Sequence, residues 1–247
     1  MGSPAYEVIG QGYSRFRQPD PRIAAAIDRA LGDAAAILNV GAGTGSYEPA
    51  RRGVVAVEPS PTMIRQRPPG SAPVVQAAAE HLPLPDRSFD ATLAILTVHH
   101  WADWRAGLRE LRRVAPRCVV FTFDPAPHNR YWLLRDYLPG SATTPSVARA
   151  PAVADIAAEL GTDRVEPVLV PHDCTDGFGW AYWRRPERYL EPGAAQAIST
   201  LAQLPDDELR QGLGRLADDL ASGRWHDRYG HLLDLDAIDG GFRLIVA

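Results

Sequence analysis

Short apolar runs rich in β-branched residues alternate with helical patterns along the first half of the chain. Polar or Gly/Pro-containing segments separate these runs, as they do between strands and helices. The alternation is typical of βαβ units and predicts a mainly parallel α/β sheet. The predicted strands are residues 36–40, 54–58, 74–77, 89–96 and 118–124.

Two helices in this half have recognisable ends. Asp20 is a good N-cap and Pro21 suits the first helical position, so a helix is predicted directly before the first strand. A second helix is predicted over residues 103–115, where Pro116 stops it. Each has one apolar face, as expected of a helix that packs on a sheet. These faces are Ile23, Ile27 and Leu31 in the first helix, and Leu108, Leu111 and Val114 in the second.

The second half has a different pattern. After a short helix ended by Gly161, residues 164–170 predict a strand, and Pro167 restricts it to a sheet edge because proline lacks a backbone donor. Residues 171–239 are mostly helical and polar in pattern, and residues 242–246 predict a last strand. We therefore expect a helical lid that is inserted between the last two strands and covers the carboxyl ends of the others.

Length, charge and cysteine content narrow the function. A chain of 247 residues accommodates one domain with a sizeable insertion. Its 26 basic residues are all arginine, so an enzyme with a catalytic lysine is excluded. With 30 acidic residues the net charge is −4, and a chain without an excess of positive charge is not expected to bind nucleic acid. The two cysteines form no close pair, so we expect no metal site. With no long apolar run and no leader-like start, we expect a cytoplasmic protein that does not enter a membrane.

The most informative segment is a glycine-rich turn after the first predicted strand. Gly41, Gly43 and Gly45 alternate there with small residues, so the backbone is able to approach a ligand closely. Glu58 ends the next predicted strand, where a carboxylate accepts the two hydroxyls of an adenosine ribose. Ser46 stands where a dinucleotide fingerprint needs its third glycine, so a nicotinamide cofactor is disfavoured.

Four ordered blocks carry a specific family resemblance. They are the glycine turn and the segments at 58–63 (EPSPTM), 79–90 (AEHLPLPDRSFD) and 96–101 (LTVHHW). The chain resembles the class I S-adenosylmethionine-dependent methyltransferases, in the small-molecule branch called type 11. The resemblance covers nearly the whole chain. It implies an α/β, Rossmann-like, doubly wound sheet of seven strands in the order 3-2-1-4-5-7-6, with strand 7 antiparallel.

The resemblance also implies a cofactor and the residues that hold it. The cofactor is S-adenosylmethionine, with S-adenosylhomocysteine as its product. The glycine turn lies along the methionine part, Glu58 holds the ribose, and Pro59 and Met63 pack on the adenine ring. Residues 1–18 resemble the family's N-terminal flap, in which Tyr6 and Tyr13 close over the cofactor. The implied cofactor-binding set is Tyr13, Gly41, Ala42, Gly43, Thr44, Glu58, Pro59, Met63, Ala79, Glu80 and Leu96.

One position departs from the family pattern. Ala78 stands where many relatives carry an acid that accepts a hydrogen bond from the adenine amine. Either a neighbour such as Gln76, Glu80 or His81 substitutes for that acid, or backbone groups read the adenine edge. Loss of a single hydrogen bond costs only ~1 kcal/mol, so the change is compatible with cofactor binding.

Three histidines are candidates for a catalytic base. Methyl transfer from a sulfonium is a displacement to which positioning contributes ~7–11 kcal/mol, and a base helps when the acceptor is a hydroxyl or an acidic carbon. His99 and His100 follow the fourth predicted strand, and each either contacts the substrate or makes a structural hydrogen bond. His172 is a further candidate, with Asp173 able to orient its imidazole, and a capped turn is the alternative.

We expect two parts in the chain. Residues 1–170 and 240–247 form a cofactor-binding domain, and 171–239 a helical, substrate-side insertion. Its aromatic and arginine-rich stretch, 180–189, is either the floor of an apolar substrate pocket or core packing.

The expected activity is methyl transfer to oxygen, nitrogen or carbon of a small-molecule acceptor. One alternative is a relative that binds the cofactor without methylating, such as a cyclase, a decarboxylase or a regulatory subunit. A protein or nucleic-acid methyltransferase is disfavoured because residues 96–99 replace the Asp/Asn-Pro-Pro-aromatic motif that grips a base amine. The acceptor atom stays open, as does the choice between a monomer and a homodimer.

Overall fold

The computed structural model describes residues 16–128 and 130–247. In this part of the chain, seven strands form one sheet. Numbered along the chain, they are β1 (Ala36–Val40), β2 (Gly53–Val57), β3 (Val74–Val75), β4 (Ala91–Ile95), β5 (Arg117–Phe123), β6 (Val165–Pro167) and β7 (Phe242–Val246).

The strand order is β3-β2-β1-β4-β5-β7-β6. Neighbours from β3 to β5 pair in parallel, and β7 pairs antiparallel with both β5 and β6. The order and the direction of the last strand are therefore as predicted. Because the chain leaves β1 and β4 toward opposite sides of the sheet, a crevice opens at the carboxyl ends of these two neighbours.

The strand predicted over residues 164–170 is shorter than expected. Three of its residues, β6, pair with β7 at the edge of the sheet, as Pro167 requires. The amide of Val168 still donates to the carbonyl of Phe242, but β7 begins there and offers no further partner. The chain then turns into a separate two-stranded ladder, in which Val170–Pro171 pairs with Ala237–Ile238.

The predicted helices are confirmed together with their ends. The Asp20 side chain accepts a hydrogen bond from the amide of Arg22, and that of Asp103 accepts one from the amide of Ala106. Gly161 ends a later helix in the left-handed conformation. The α-helices are α1 (Pro21–Leu31), α2 (Pro61–Arg65), α3 (Trp104–Val114), α4 (Pro125–His128), α5 (Pro145–Ala148), α6 (Val153–Leu160), α7 (Ser199–Ala202), α8 (Asp206–Ala221) and α9 (Arg224–Tyr229).

Shorter helical turns complete the described part of the chain. A π-turn covers Leu133–Tyr137. The 3₁₀ turns are Val98–His100, Pro139–Thr143, Pro186–Leu190, Ala195–Ala197 and Gly230–Asp234.

Both faces of the sheet are buried. Successive residues of a strand point to opposite faces, so Phe121 packs with the apolar side of α1, whereas Val120 packs with the apolar sides of α3 and α6. At ~25 cal/mol per Å² of buried apolar surface, these two layers supply the main force that holds the sheet together.

An aromatic cluster extends the first of these layers into the segment between β6 and β7. It also includes Tyr131 and Trp132, which follow β5 and lie outside the lid that was predicted at 171–239. Trp132 donates its indole hydrogen to the carbonyl of Trp183 at 3.1 Å, and its ring lies 5.5 Å from that of Trp225. The hydroxyls of Tyr131 and Tyr189 are 2.6 Å apart. Most of the tryptophan and tyrosine in this half therefore forms core.

Candidate functional site

A large cavity opens at the carboxyl ends of the central strands. Its open space, counted together with the solvent at its mouth, is about 1610 Å³. The segments after β1, β2, β3 and β4 all contribute to its lining. It brings together these candidates from the sequence: Gly41, Ala42, Gly43, Thr44, Glu58, Pro59, Met63, Ala79, Glu80, Leu96, His99 and His100.

The glycine turn follows β1 and is held against the neighbouring strand. The amides of Gly41 and Ala42 both donate to the carbonyl of Val57, at 2.8 and 3.0 Å. Gly41 has a φ of 69°, and a Cβ there would lie 2.0 Å from Oγ1 of Thr97. Only glycine fits this position, because both the backbone angle and the contact exclude a side chain.

Glu58 is the buried carboxylate of the cavity, with 6% of its surface exposed. Its Oε2 accepts a hydrogen bond from the amide of Gly43 at 2.8 Å, and its Oε1 accepts one from the amide of Ser60 at 2.9 Å. Burial raises the pKa of Glu58, and these two hydrogen bonds and the charge of Arg67 partly oppose that rise. A carboxylate has about four acceptor positions, so Glu58 retains capacity for ligand hydroxyls.

Met63 lies at the side of the glycine turn. Ser60 caps the short helix α2, and its hydroxyl accepts a hydrogen bond from the amide of Met63 at 3.3 Å. Met63 is 3% exposed, and a Cβ on Gly43 would stand 3.4 Å from its terminal methyl. The thioether therefore forms an apolar surface beside the turn, of the kind on which a flat ring packs.

The segment after β3 supplies backbone rather than a free carboxylate. Ala78, Ala79 and Glu80 line the cavity. However, Oε1 of Glu80 accepts hydrogen bonds from the amides of Ala102 and Asp103, at 2.8 and 3.1 Å, at the start of α3.

The two other neighbours considered for adenine recognition do not line the cavity. Gln76 is exposed, and its amide nitrogen lies 3.4 Å from the carbonyl of Pro59. His81 is also exposed. Of the alternatives considered for adenine recognition, the described residues of this segment therefore favour recognition of the adenine edge by backbone groups.

Leu96 directly follows β4 and has a strained backbone conformation. Its φ is 48°, a region that costs a residue with a Cβ ~1–3 kcal/mol. Its amide donates to the carbonyl of Phe121 at 2.7 Å, which holds the chain in this conformation. The 3₁₀ turn that follows carries His99 and His100, which line the cavity.

The two histidines are in contact with each other. Their ring centroids are 3.9 Å apart, and the His99 ring also lies 5.0 Å from that of Phe123. Burial, together with the positive charge of Arg17, lowers the pKa of His100 to about 4. His100 is therefore a neutral imidazole at pH 7, and a neutral imidazole is able to accept a proton.

The structure does not bring His172 together with these residues. Its amide and its Nδ1 lie 2.9 and 3.1 Å from the carbonyl of Asp236, outside the cavity lining. Asp173 binds Nη1 of Arg22 at 2.7 Å instead of orienting the imidazole. Tyr6 and Tyr13 lie outside the described residues.

Several cavity residues have no signal in the local sequence. Arg17 comes from the segment before α1, and its Nε lies 2.6 Å from Oδ1 of the fully buried Asp176. Phe123, Phe178 and Phe242 come from β5, from the segment after β6 and from the start of β7. The sequence did not indicate these residues because only contacts between distant segments bring them into one cavity. The predicted pairing of β7 with β5 was the one signal that could have placed Phe123 and Phe242 together.

Asn39 is another residue without an assigned role that lines the cavity. It is 1% exposed, and its Nδ2 donates to Oε1 of Glu48 at 3.1 Å. Its Oδ1 is buried without a hydrogen-bond partner among the described residues. A buried amide oxygen in this state is a ready acceptor for a ligand donor.

A sheet with this strand order, a glycine turn after β1 and a carboxylate after β2 form an arrangement that is typical of α/β enzymes that bind a nucleoside. The family Methyltransf_11, described as a methyltransferase domain, matches residues 38–118. A methyltransferase structure from Anabaena variabilis, described as putative and from an antibiotic biosynthesis pathway, is 34% identical, with a TM-score of 0.88 over 95% of this chain and 99% of that chain. The chain therefore belongs to the class I S-adenosylmethionine-dependent methyltransferases of type 11.

Two further comparisons are more distant. The uncharacterized protein MJ1252 of Methanocaldococcus jannaschii is 27% identical over 117 residues, which is 47% of this chain and 47% of that protein. The chain thus matches about half the length of this curated relative. The [4+2]-cyclase SpnF is 17% identical, with a TM-score of 0.50 over 91% of this chain and 78% of that chain, and it shares the fold.

Proposed function

We propose that this protein transfers the methyl group of S-adenosylmethionine to a small-molecule acceptor bound in the same cavity. The observation that carries the proposal is the meeting of the glycine turn, the buried Glu58 carboxylate and the neutral His100 in the lining of one cavity.

The residues present fit the cofactor. Gly41, Ala42 and Gly43 line the cavity, and a turn built from such small residues lets a ligand approach its backbone. Glu58 offers buried acceptors to ribose hydroxyls, Met63 offers an apolar surface to a flat ring, and Asn39 offers a buried amide oxygen. Each group matches a different part of the molecule.

Bound S-adenosylmethionine supplies a methyl group on a positively charged sulfur. The chain's part is to hold acceptor and donor in line, since positioning contributes ~7–11 kcal/mol. The glycine turn and Glu58 hold the donor side. His100, neutral at pH 7, accepts the proton of the acceptor, and the buried rings of Phe123 and Phe242 exclude water.

Calorimetric titration tests the donor side. We expect wild type to bind both S-adenosylmethionine and S-adenosylhomocysteine. Glu58→Ala should weaken both by ~1.5–3 kcal/mol, about ten- to a hundredfold in Kd, because charge-assisted hydrogen bonds to the ribose are lost. Glu187→Ala, an exposed residue outside the cavity, is the matched control. Absence of binding by wild type contradicts the proposal, and equal binding by Glu58→Ala contradicts the ribose assignment.

Cofactor binding alone does not demonstrate methylation. Transfer is therefore followed with a labelled methyl group and a panel of small acceptors, and wild type should release S-adenosylhomocysteine in step with the labelled product. Binding of the cofactor without transfer to any acceptor would favour a non-methylating relative.

A further inference from the structure

The cavity has a second half that the cofactor residues do not occupy. The glycine turn, Glu58 and Ala79 follow β1, β2 and β3, on one side of the point where the strand order reverses. Residues from β5, from β7 and from the segment between β6 and β7 line the other side, which we call the acceptor half.

Aromatic rings form the wall of the acceptor half. The Phe178 and Phe242 rings lie 4.6 Å apart, Phe123 lies 6.4 Å from Phe242, and His99 lies 5.0 Å from Phe123. The three phenylalanines are 2–5% exposed, and Ile198 is 3% exposed. A contiguous, rigid and apolar wall of this kind favours a flat, uncharged ring system.

In the described part of the chain, Arg17 is the cation that lines the acceptor half. Among the described residues, the charged side chains of the whole lining are Arg17, Glu58 and Glu80, and both carboxylates belong to the cofactor side. Asp176, the ion-pair partner of Arg17, is fully buried and is not part of the lining. Arg17 thus lines the cavity whereas its carboxylate partner does not, and the charge of Arg17 lowers the pKa of His100. A guanidinium in the lining disfavours a cationic amine and favours an anionic oxygen.

The neutral state of His100 restricts which chemical class of acceptor it can deprotonate. Because the pKa of His100 is about 4, its imidazole is a weak base. It withdraws a proton readily only from a group that is itself acidic, or whose anion a nearby cation stabilises.

We propose, resting on the methyltransferase function above, that the acceptor is a flat apolar molecule with an acidic hydroxyl, a phenol or an enol. Its ring lies against the phenylalanine wall, and its oxygen lies between Arg17 and His100. The oxygen gives its proton to the His100 imidazole and forms a bond to the methyl carbon. The carbon–sulfur bond breaks with its electron pair on sulfur, and the protonated His100 then releases the proton to water.

Nitrophenols test this assignment without turnover, because their anions absorb visible light and the neutral forms do not. The protein is first saturated with S-adenosylhomocysteine, whose binding is measured separately. 4-Nitrophenol and a nitronaphthol are then titrated against pH in the complex. We expect the pKa of the bound phenol to fall by at least about one unit relative to buffer, which is tenfold in the ratio of anion to neutral form.

Matched probes and variants identify the source of the shift. 4-Nitroaniline and 4-nitroanisole have similar shapes without an acidic proton, and both should bind more weakly than the phenol. Arg17→Gln should abolish the shift and Arg17→Lys should retain part of it. Arg210→Gln, an exposed position on α8, changes the net charge equally and should leave the shift unchanged.

The outcomes separate this proposal from the one on which it rests. Failure to bind S-adenosylhomocysteine contradicts the methyltransferase function itself. If S-adenosylhomocysteine binds, three results overturn the acceptor class alone: a bound phenol that titrates as it does in buffer, tighter binding of the aniline, or no binding of either phenol to the complex.

Discussion

Gly41→Ala tests whether the close approach of the glycine turn to β4 shapes the cofactor side of the cavity. The substitution adds one methyl group to a residue with a φ of 69°. Its Cβ would meet Oγ1 of Thr97 at 2.0 Å, and Cβ and Cγ2 of Thr97 at 2.9 Å. Thr97 is buried and accepts the indole hydrogen of Trp101 at 3.2 Å, so it has little freedom to move away.

Two costs add at this position. An alanine in the left-handed region costs ~1–2 kcal/mol. Overpacking against a buried neighbour costs a further ~1–3 kcal/mol. We therefore expect Gly41→Ala to lower the free energy of unfolding by ~2–5 kcal/mol. Displacement of the turn should also weaken the binding of S-adenosylhomocysteine.

Two other glycines isolate the two costs. Gly70 has a φ of 82° with open space around it, so Gly70→Ala reports the backbone cost alone. Gly214 lies inside α8, and an added Cβ there would meet nothing within 4 Å, so Gly214→Ala should stabilise the protein by ~0.5–1 kcal/mol. Urea unfolding, followed by circular dichroism, gives all three free energies, and calorimetry gives the affinity for S-adenosylhomocysteine.

A second substitution decides whether Thr97 is the cause. Thr97→Ala removes the atom at 2.0 Å and one of the two at 2.9 Å, so it should recover ~1–3 kcal/mol when combined with Gly41→Ala. Thr97→Val keeps the shape of the side chain and should recover nothing. The packing argument would be refuted if Gly41→Ala lowered the free energy of unfolding by the same amount as Gly70→Ala. It would also be refuted if Thr97→Ala and Thr97→Val, each combined with Gly41→Ala, recovered the same stability.

Two further predictions concern His100 and Glu80. The pKa of His100 is lowered to about 4 from an ordinary 6.5, so as pH falls the unfolded chain binds a proton at His100 before the folded chain does. This lowers the free energy of unfolding between pH 6.5 and 4, by up to ~3 kcal/mol. His100→Gln should therefore lose less stability than wild type in urea unfolding across this window, and parallel curves would contradict the pKa shift. Glu80→Ala should lower the free energy of unfolding by ~1–2 kcal/mol because the amides of Ala102 and Asp103 lose their cap. The Kd of S-adenosylhomocysteine should change by less than about twofold. A large loss of affinity with unchanged stability would instead indicate a direct cofactor contact.

The sequence predicted the frame of the molecule well. Asp20, Pro21 and Gly161 mark helix ends through local backbone demands, so their positions agree with the structure. Pro167 restricted a strand to the sheet edge for an equally local reason, the missing amide hydrogen. The strand order rested on the family resemblance, and it is confirmed.

The site was predictable only in part. The glycine turn and Glu58 could be located because their chemistry depends on adjacent residues in one strand and turn. Glu80 shows the limit: it lies in a family block and lines the cavity, but the sequence did not indicate that its carboxylate accepts hydrogen bonds from two amides at the start of α3. Its contact with the cofactor stays a prediction. His172 and Asp173 are neighbours in the chain, yet each binds a partner far away in sequence.

By itself the sequence determined the alternation of strands and helices, the turn that only glycine can form, and the buried acid that follows it. These features depend on periodicity and on backbone conformation, which a few consecutive residues fix. Only the tertiary structure decided which side chains meet across the cavity: Arg17, which is paired with the buried Asp176, shares the lining with His100 and with the rings of Phe123, Phe178 and Phe242. Such contacts join distant segments, and they are set by the pairing of β5 with β7 and the packing of the sheet, which no local pattern records.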